Sequence, residues 1–346
     1  MLDIEKEIKE NGVYRTLEKI NIELKKETSP EKKMFWYRLE MDIKKKYKIG
    51  KDPQKKRKRT SKKKTATPSN NKRYSWVDNN KPKNGTLSER YKAPPFSIIN
   101  SNKSYFKSLN QYWNDKYDFS VLQGRDEKLL GTDYGMLSSI TTSIFSPALA
   151  DILYTWFCPK SGSKIYDPFC GGVIRGIVAT ELGHHYTGLD IRYEQVRSNK
   201  EYYPFCDWIC GDATRTKFKE NTFDFTIMCP PYYNLEVYSK MKYDLSNQPS
   251  YADFRYLFKE SMGHVYTALK RNAFCCIIIG DVRDSKGYYY GIPEDIVKLN
   301  QEIGFKLYNK INYVTYSDAY LKAGRTFDRS KKVTLVHQNI LCFLKI

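Results

Sequence analysis

Acidic residues are scarce beside basic ones in this 346-residue chain: 39 Asp and Glu face 59 Lys and Arg, for a net charge of +20. Histidine is rarer still, at four, and the eight cysteines form no CxxC pair. With no His/Cys cluster at zinc-ligand spacing, the expectation is reduced thiols and no bound metal. No apolar run reaches the roughly 18 residues that a membrane-spanning helix needs. The opening MLDIEKEIKENG has no apolar stretch of the kind a secretory leader requires, so a cytoplasmic protein with no membrane partner is expected. Core material is abundant, with 40% hydrophobic residues and 29 tyrosines, and this excludes a wholly disordered chain.

The positive charge is concentrated. Between Lys44 and Arg73 there are 15 Lys and Arg and one acid, Asp52, so this segment carries +14 of the +20. It is poor in apolar residues and broken by Pro53 and Pro68, which predicts a disordered arm. Such an arm can be a solubilising tether, but a run of this density gains affinity for any polyphosphate through counterion release, and nucleic-acid contact is the favoured reading. Lys55–Arg59 (KKRKR) also has the form of a nuclear-import signal. Upstream, apolar residues at helical spacing (Ile4, Ile8, Leu17, Ile20, Leu24, then Phe35, Leu39, Ile43) predict a small helical hairpin. The chain thus divides into a helical extension over 1–47, a basic linker over 48–88 and a folded domain over 89–346.

Within that domain strands and helices alternate, as in a parallel sheet wrapped by helices. Strands are predicted at 164–167, 185–190, 208–210, 223–228 and 274–279, with helices over 171–182, 193–203, 251–269 and 293–303. Two last strands, 305–316 and 334–345, suit an antiparallel pair at a sheet edge. The continuous apolar run FCCIII (274–279) fits a central strand buried on both faces.

Chemistry-bearing residues fall at the ends of these strands. Asp167-Pro168-Phe169-Cys170-Gly171-Gly172 follows the first strand, where a glycine turn lets the backbone approach a ligand. Asp190 ends the second strand in TGLDIR, placed either to accept ribose hydroxyls or to cap the next helix. Asp212 ends the third in CGDAT. After the fourth comes Cys229-Pro230-Pro231-Tyr232, two prolines fixing an extended backbone whose intervening carbonyl can face a ligand. Open parallel sheets bind ligands at the carboxyl ends of their strands, so the placement is coherent; a merely stiff turn is the alternative for the last motif.

Taken together these motifs resemble those of class I S-adenosylmethionine-dependent methyltransferases, and CPPY resembles the (D/N/S)PPY motif of DNA enzymes that methylate adenine N6 or cytosine N4. From Tyr91 onward, APPFSIINSNKSYFKSLNQYWND, SIFSPALADILYTWFCPKSG, WICGD, CPPYYNLEVYS, GDVRD and HQNILCFLK are similar to phage-encoded DNA methylases. The resemblance implies an α/β fold with a seven-stranded, mostly parallel sheet in a three-layer, Rossmann-like sandwich. It implies S-adenosylmethionine held by Phe145, Ser146, Asp167, Pro168, Phe169, Gly171, Gly172, Asp190 and Asp212. The target base would be held by Cys229, Pro230, Pro231 and Tyr232, with Tyr232 stacking on a base rotated out of the duplex.

Two departures stand out: the glycines of the first turn are adjacent, and Cys229 is a weaker acceptor than Asp, Asn or Ser. Its size is nearest to Ser, which leans toward cytosine N4. Cys229 as a nucleophile is disfavoured, because the Pro-Pro-Tyr that follows suits amine chemistry. DNA is the expected partner, through the arm Lys44–Arg73 and a basic loop from Arg325 to Lys332. Rival readings are RNA methylation, methylation of a protein glutamine amide, and a nucleic-acid-binding protein with an inactive methylase core.

Overall fold

The computed structural model describes residues 85–117, 119, 145–235, 237–239, 241–315 and 319–346, with the isolated positions 19, 20, 23, 39 and 43. Apart from those isolated positions, the expected N-terminal hairpin lies outside the described residues, as does the whole basic arm. The chain divides into two compact units, Met1–Lys72 and Arg73–Ile346, and the second holds the α/β domain.

The elements of this domain run α1 (Leu87–Tyr91), β1 (Ile98–Asn100), α2 (Ser104–Lys116), α3 (Pro147–Phe157), β2 (Lys164–Asp167), α4 (Ile174–Glu181), β3 (His185–Asp190), α5 (Tyr193–Tyr202) and β4 (Asp207–Cys210). Then come β5 (Phe223–Met228), α6 (Tyr251–Ala268), β6 (Leu269–Ile279), α7 (Ile292–Ile303), β7 (Lys306–Val314), α8 (Ala319–Ser330) and β8 (His337–Leu344). One sheet of eight strands forms in the order β1-β7-β8-β6-β5-β2-β3-β4. Every neighbouring pair is parallel except those made by β8, which runs against both β6 and β7.

The α/β expectation holds, with three corrections. The sheet has an eighth strand, β1, too short at three residues to leave a periodic signal. The last two strands are an antiparallel pair, but they are not the edge: β8 lies between β6 and β7, and β1 covers β7. Their connection is not a loop, because Ala319–Ser330 is helical. Arg325 and Arg329 therefore sit on a helix, and only Lys331 and Lys332 follow it. Gly324 at mid-helix disguised this element; an exposed glycine costs a helix only about 1 kcal/mol.

Strand β6 shows why the sheet is central. Phe274 to Ile279 are all at most 3% exposed, and alternate residues go to opposite faces. Cys275, Ile277 and Ile279 join Phe254, Phe258, Met262 and Val265 of α6 and Ile296 and Leu299 of α7. On the other face Phe157, at the end of α3, packs on Phe274 with ring centroids 5.2 Å apart, and Tyr154 meets Phe225 edge-on at 6.0 Å. The result is helices, sheet and helices in three layers. A buried hydrogen bond from Trp113 Nε1 to Asp151 (3.0 Å) ties α2 to α3.

One contact tests the packing between α4 and β4. A Cβ at Gly176 would fall 2.7 Å from the Trp208 ring and 2.9 Å from Cys206 Sγ. Gly176→Ala is therefore expected to destabilise the domain by about 1–3 kcal/mol, read as a lower denaturation midpoint; an unchanged midpoint would show that Trp208 can move aside.

Candidate functional site

The carboxyl ends of β2, β3, β4 and β5 open onto one cavity of about 440 Å³. Its wall contains Phe145 and Ser146, Pro168 to Gly172, Asp190, Asp212, and the whole of Cys229 to Tyr232. The structure thus brings together every expected site residue except one. Asp167 is fully buried and does not line the cavity.

The reason is local. Asp167 forms an ion pair with Arg175 Nε (2.5 Å) and accepts from the Tyr186 hydroxyl (2.7 Å) and the Phe169 amide (3.2 Å). Burial alone would depress the guanidinium, but the Asp167 carboxylate outweighs it and holds Arg175 firmly charged. Burial and the same carboxylate push the Tyr186 phenol up, keeping it a donor. Arg175 Nη2 then donates to the carbonyls of Phe169 (2.8 Å) and Cys170 (3.1 Å), and its guanidinium lies 4.7 Å from the centre of the Phe145 ring. Asp167 therefore shapes the turn, and the turn lines the cavity. Arg175 lines the cavity as well, and nothing in the sequence around it singled it out.

Asp190 and Asp212 face the cavity as the strand-end argument requires. Asp190 accepts from the amides of Gly171 (3.1 Å) and Arg192 (2.9 Å), which fixes its orientation, and burial pushes its carboxyl up. Asp190 does not cap α5, whose N-cap residue is Arg192; it braces the start of that helix through the Arg192 amide and lines the cavity. Asp212 Oδ1 is taken up by Thr214, at 2.8 Å to the amide and 2.7 Å to the hydroxyl. Its Oδ2 is buried without a hydrogen bond, with Arg215 Nε at 3.5 Å in an ion pair. An orphaned carboxylate oxygen on a cavity wall has acceptor capacity that a ligand donor can fill. Ser146 caps α3 by accepting from Leu149 N (3.4 Å) and donates to Asn110 Oδ1 (3.2 Å).

The segment after the CPPY motif folds back over the cavity. Tyr238, Tyr243, Asp244 and Leu245 all line it, and none was singled out from the sequence as a site residue. Asp244 anchors this return by accepting from the amide and hydroxyl of Ser246 (2.8 and 2.6 Å) and from the Ser239 hydroxyl (2.6 Å). Tyr233 begins it in a left-handed conformation, φ +55°, that side chains rarely adopt. Its ring is locked among Tyr251, Phe254 and Tyr290, with centroids 5.2 to 5.7 Å away.

Tyr232 itself lies over Gly280, where a Cβ would come within 3.0 Å of the ring. Its hydroxyl accepts from Gln338 Nε2 (3.0 Å) and is 3.5 Å from Cys229 Sγ. Gln338, from β8, lies 106 residues further along the chain and was also missed.

Residues 169–236 match a family model described as a methyltransferase domain. The match takes in the glycine turn, both cavity-facing acids and the CPPY motif. Curated proteins include no sequence that matches this chain. Among solved structures, a putative RNA methyltransferase from Pyrococcus horikoshii is similar at 16% identity and a TM-score of 0.42, covering 69% of this chain and 98% of that one. A TehB-like SAM-dependent methyltransferase from Corynebacterium glutamicum is similar at 20% and 0.36, covering 54% and 82%. A putative DNA modification methylase from Thermus thermophilus is similar at 19% and 0.30, covering 39% and 52%. These likenesses carry nothing about substrate.

The match over residues 169–236 is to a methyltransferase domain, and the methyl donor that this match implies is S-adenosylmethionine. The residues present fit it: two carboxylates for the hydroxyls and amine of an adenosyl group, one with an unfilled acceptor, beside a glycine turn at the start of a helix. Asp190→Asn and Asp212→Asn should each weaken S-adenosylmethionine binding roughly ten- to a hundredfold by calorimetry, the value of a charged hydrogen bond. Asp167→Asn should instead lower the melting temperature; weakened binding with unchanged stability would place Asp167 in contact with the cofactor after all.

Proposed function

We propose that this protein is a DNA methyltransferase acting on an exocyclic amino group, adenine N6 or cytosine N4. The observation that carries the reading is the presence of Cys229-Pro230-Pro231-Tyr232 in the same cavity wall as Asp190 and Asp212. A methyl donor seated on the acids and a planar amine held at the motif would meet within one enclosure. The donor supplies an electrophilic methyl carbon on a sulfonium, and its transfer to an amine leaves a neutral thioether and releases one proton to water.

The residues of this chain have three tasks. Phe145, Ser146, Pro168 to Gly172, Asp190 and Asp212 hold the donor. The carbonyl of Pro230 accepts one hydrogen of the target amine, drawing its lone pair out of conjugation with the ring. Tyr232 supplies an aromatic surface for a base taken out of its stack.

Charge supports a nucleic-acid substrate over a protein amide. The +14 arm would attract phosphate without regard to sequence, and Arg325, Arg329 and Lys331 are exposed on and after α8. In the loop after β6, Arg283 stacks on the exposed Tyr289 with its guanidinium 3.7 Å from the ring centre, an arrangement suited to bases and phosphates alike. RNA remains the second reading, because the arm suits either polymer. No described helix is long and apolar enough to cross a membrane, and a cytoplasmic location accords with the reading.

Incubation with methyl-labelled S-adenosylmethionine and unmethylated DNA, followed by digestion to nucleosides, is expected to yield labelled N6-methyladenine or N4-methylcytosine. Label in RNA alone, or in protein alone, would replace the DNA reading. Tyr232→Ala should abolish transfer while cofactor affinity stays within about twofold, since the ring serves the base; equal loss of both would remove Tyr232 from the base site. Deleting residues 44–73 should weaken DNA binding and flatten its dependence on salt; an unchanged slope would mean that the arm touches no phosphate.

A further inference from the structure

The first position of the CPPY motif holds a sulfur where an oxygen acceptor is needed. An exocyclic amine has two hydrogens to be accepted, and the carbonyl of Pro230 accounts for one. A thiol is a weak acceptor for the other. It is also engaged: Cys229 Sγ lies 3.5 Å from the Tyr232 hydroxyl. Because that hydroxyl oxygen receives the Gln338 amide N–H at 3.0 Å, its own proton can be directed to sulfur. A chain of donors therefore runs from Gln338 through Tyr232 to Cys229.

That chain uses one end of the Gln338 side chain and leaves the other. Gln338 Oε1 accepts no hydrogen bond among the described residues. It is not among the fully buried polar atoms left without a partner, so it keeps some exposure. The residue lines the same cavity as Cys229, Pro230 and Tyr232. Its backbone is held in register on both sides, with Gln338 paired to Tyr313 of β7 and Asn339 paired to Ile279 of β6.

We infer that Gln338 supplies the amine acceptor that position 229 lacks, its Oε1 holding the second hydrogen of the target amino group while its Nε2 steadies Tyr232. This role rests on the amine-methylation reading. It assigns a substrate contact to a residue on the last strand, far in sequence from the motif that it completes. An amide oxygen is as strong an acceptor as the asparagine oxygen of an NPPY motif, so the chemistry is preserved although the residue is displaced.

The experiment uses the full chain, unmethylated double-stranded DNA and labelled S-adenosylmethionine, with melting temperature and cofactor affinity measured on every variant. Gln338→Met is expected to lower kcat about ten- to a hundredfold, the value of one hydrogen bond to a reacting group, with cofactor affinity unchanged. Gln338→Glu keeps an acceptor for the amine and one for the Tyr232 hydroxyl proton, and should retain most of the activity. Cys229→Asn added to Gln338→Met should restore at least a third of the lost rate, because it returns an oxygen acceptor to the motif.

Unaltered kcat in Gln338→Met overturns the assignment. Loss in Gln338→Glu equal to that in Gln338→Met makes the residue a donor and overturns it too, as does failure of Cys229→Asn to rescue a well-folded double variant. A Gln338→Met variant with lowered melting temperature and weakened cofactor binding would assign the residue to packing. The wild-type product separates this test from the broader reading: methylated amino bases with a silent Gln338 refute only the acceptor role, whereas no methylated amine from the wild type refutes both.

Discussion

The buried ion pair between Asp167 and Arg175 is the constraint on which the rest of the site depends. Two charges out of water are costly, and they persist because the polar atoms near them are used: Tyr186 and the Phe169 amide on the carboxylate, the Phe169 and Cys170 carbonyls on the guanidinium. Removing one partner of such a pair costs about 3–5 kcal/mol, because the other is left buried and charged. What the pair secures is geometry. It clamps the end of β2 to α4, forces the intervening turn around the guanidinium, and presents Pro168 to Gly172 to the cavity. The Gly171 amide then binds Asp190, so the second strand end is registered to the first.

From that frame a common logic extends to the next two strands. Arg192 and Arg215 each follow a strand-end acid by two or three residues, and each pairs with it, at 3.7 Å to Asp190 and 3.5 Å to Asp212. Each also meets a tyrosine of the returning segment: Arg192 lies 5.8 Å from the centre of Tyr238 and Arg215 lies 3.8 Å from that of Tyr243. The two acids on the cavity wall are thus linked through two arginines to two tyrosines that line the same cavity.

Legibility followed distance along the chain. The strand ends with Asp190, Asp212 and Cys229–Tyr232 were readable because alternating strands and helices fix which end of each strand carries a site, and each signal is contained within a few residues. Asp167 belongs to an equally readable motif, yet a local pattern does not say whether a carboxylate turns toward the ligand or the core. That is decided by Arg175, eight residues on and inside a helix, and by Tyr186 on the neighbouring strand. Gln338 and Gly280 were beyond reach for a similar reason: Gly280 meets Tyr232 because β6 pairs with β5, and Gln338 meets it because β8 inserts between β6 and β7. Strand β1 and helix α8 were missed because three residues are too few for a period and a glycine broke the helical one.

On the amine-methylation reading proposed above, the same topology would let the motif tolerate cysteine. In a site where the first motif residue does the accepting, all polar contacts to the amine would come from one short, proline-stiffened segment. Here the antiparallel strand β8 delivers an amide to the Tyr232 hydroxyl, and Gly280 at the end of β6 leaves room for the ring to lie close against the sheet. A Cβ at 280 would lie 3.0 Å from the Tyr232 ring, so the ring would have to give by a few tenths of an ångström. The chemistry at position 229 is therefore not a property of that residue alone; it depends on three strand ends brought side by side, with Gly280 setting how closely they approach.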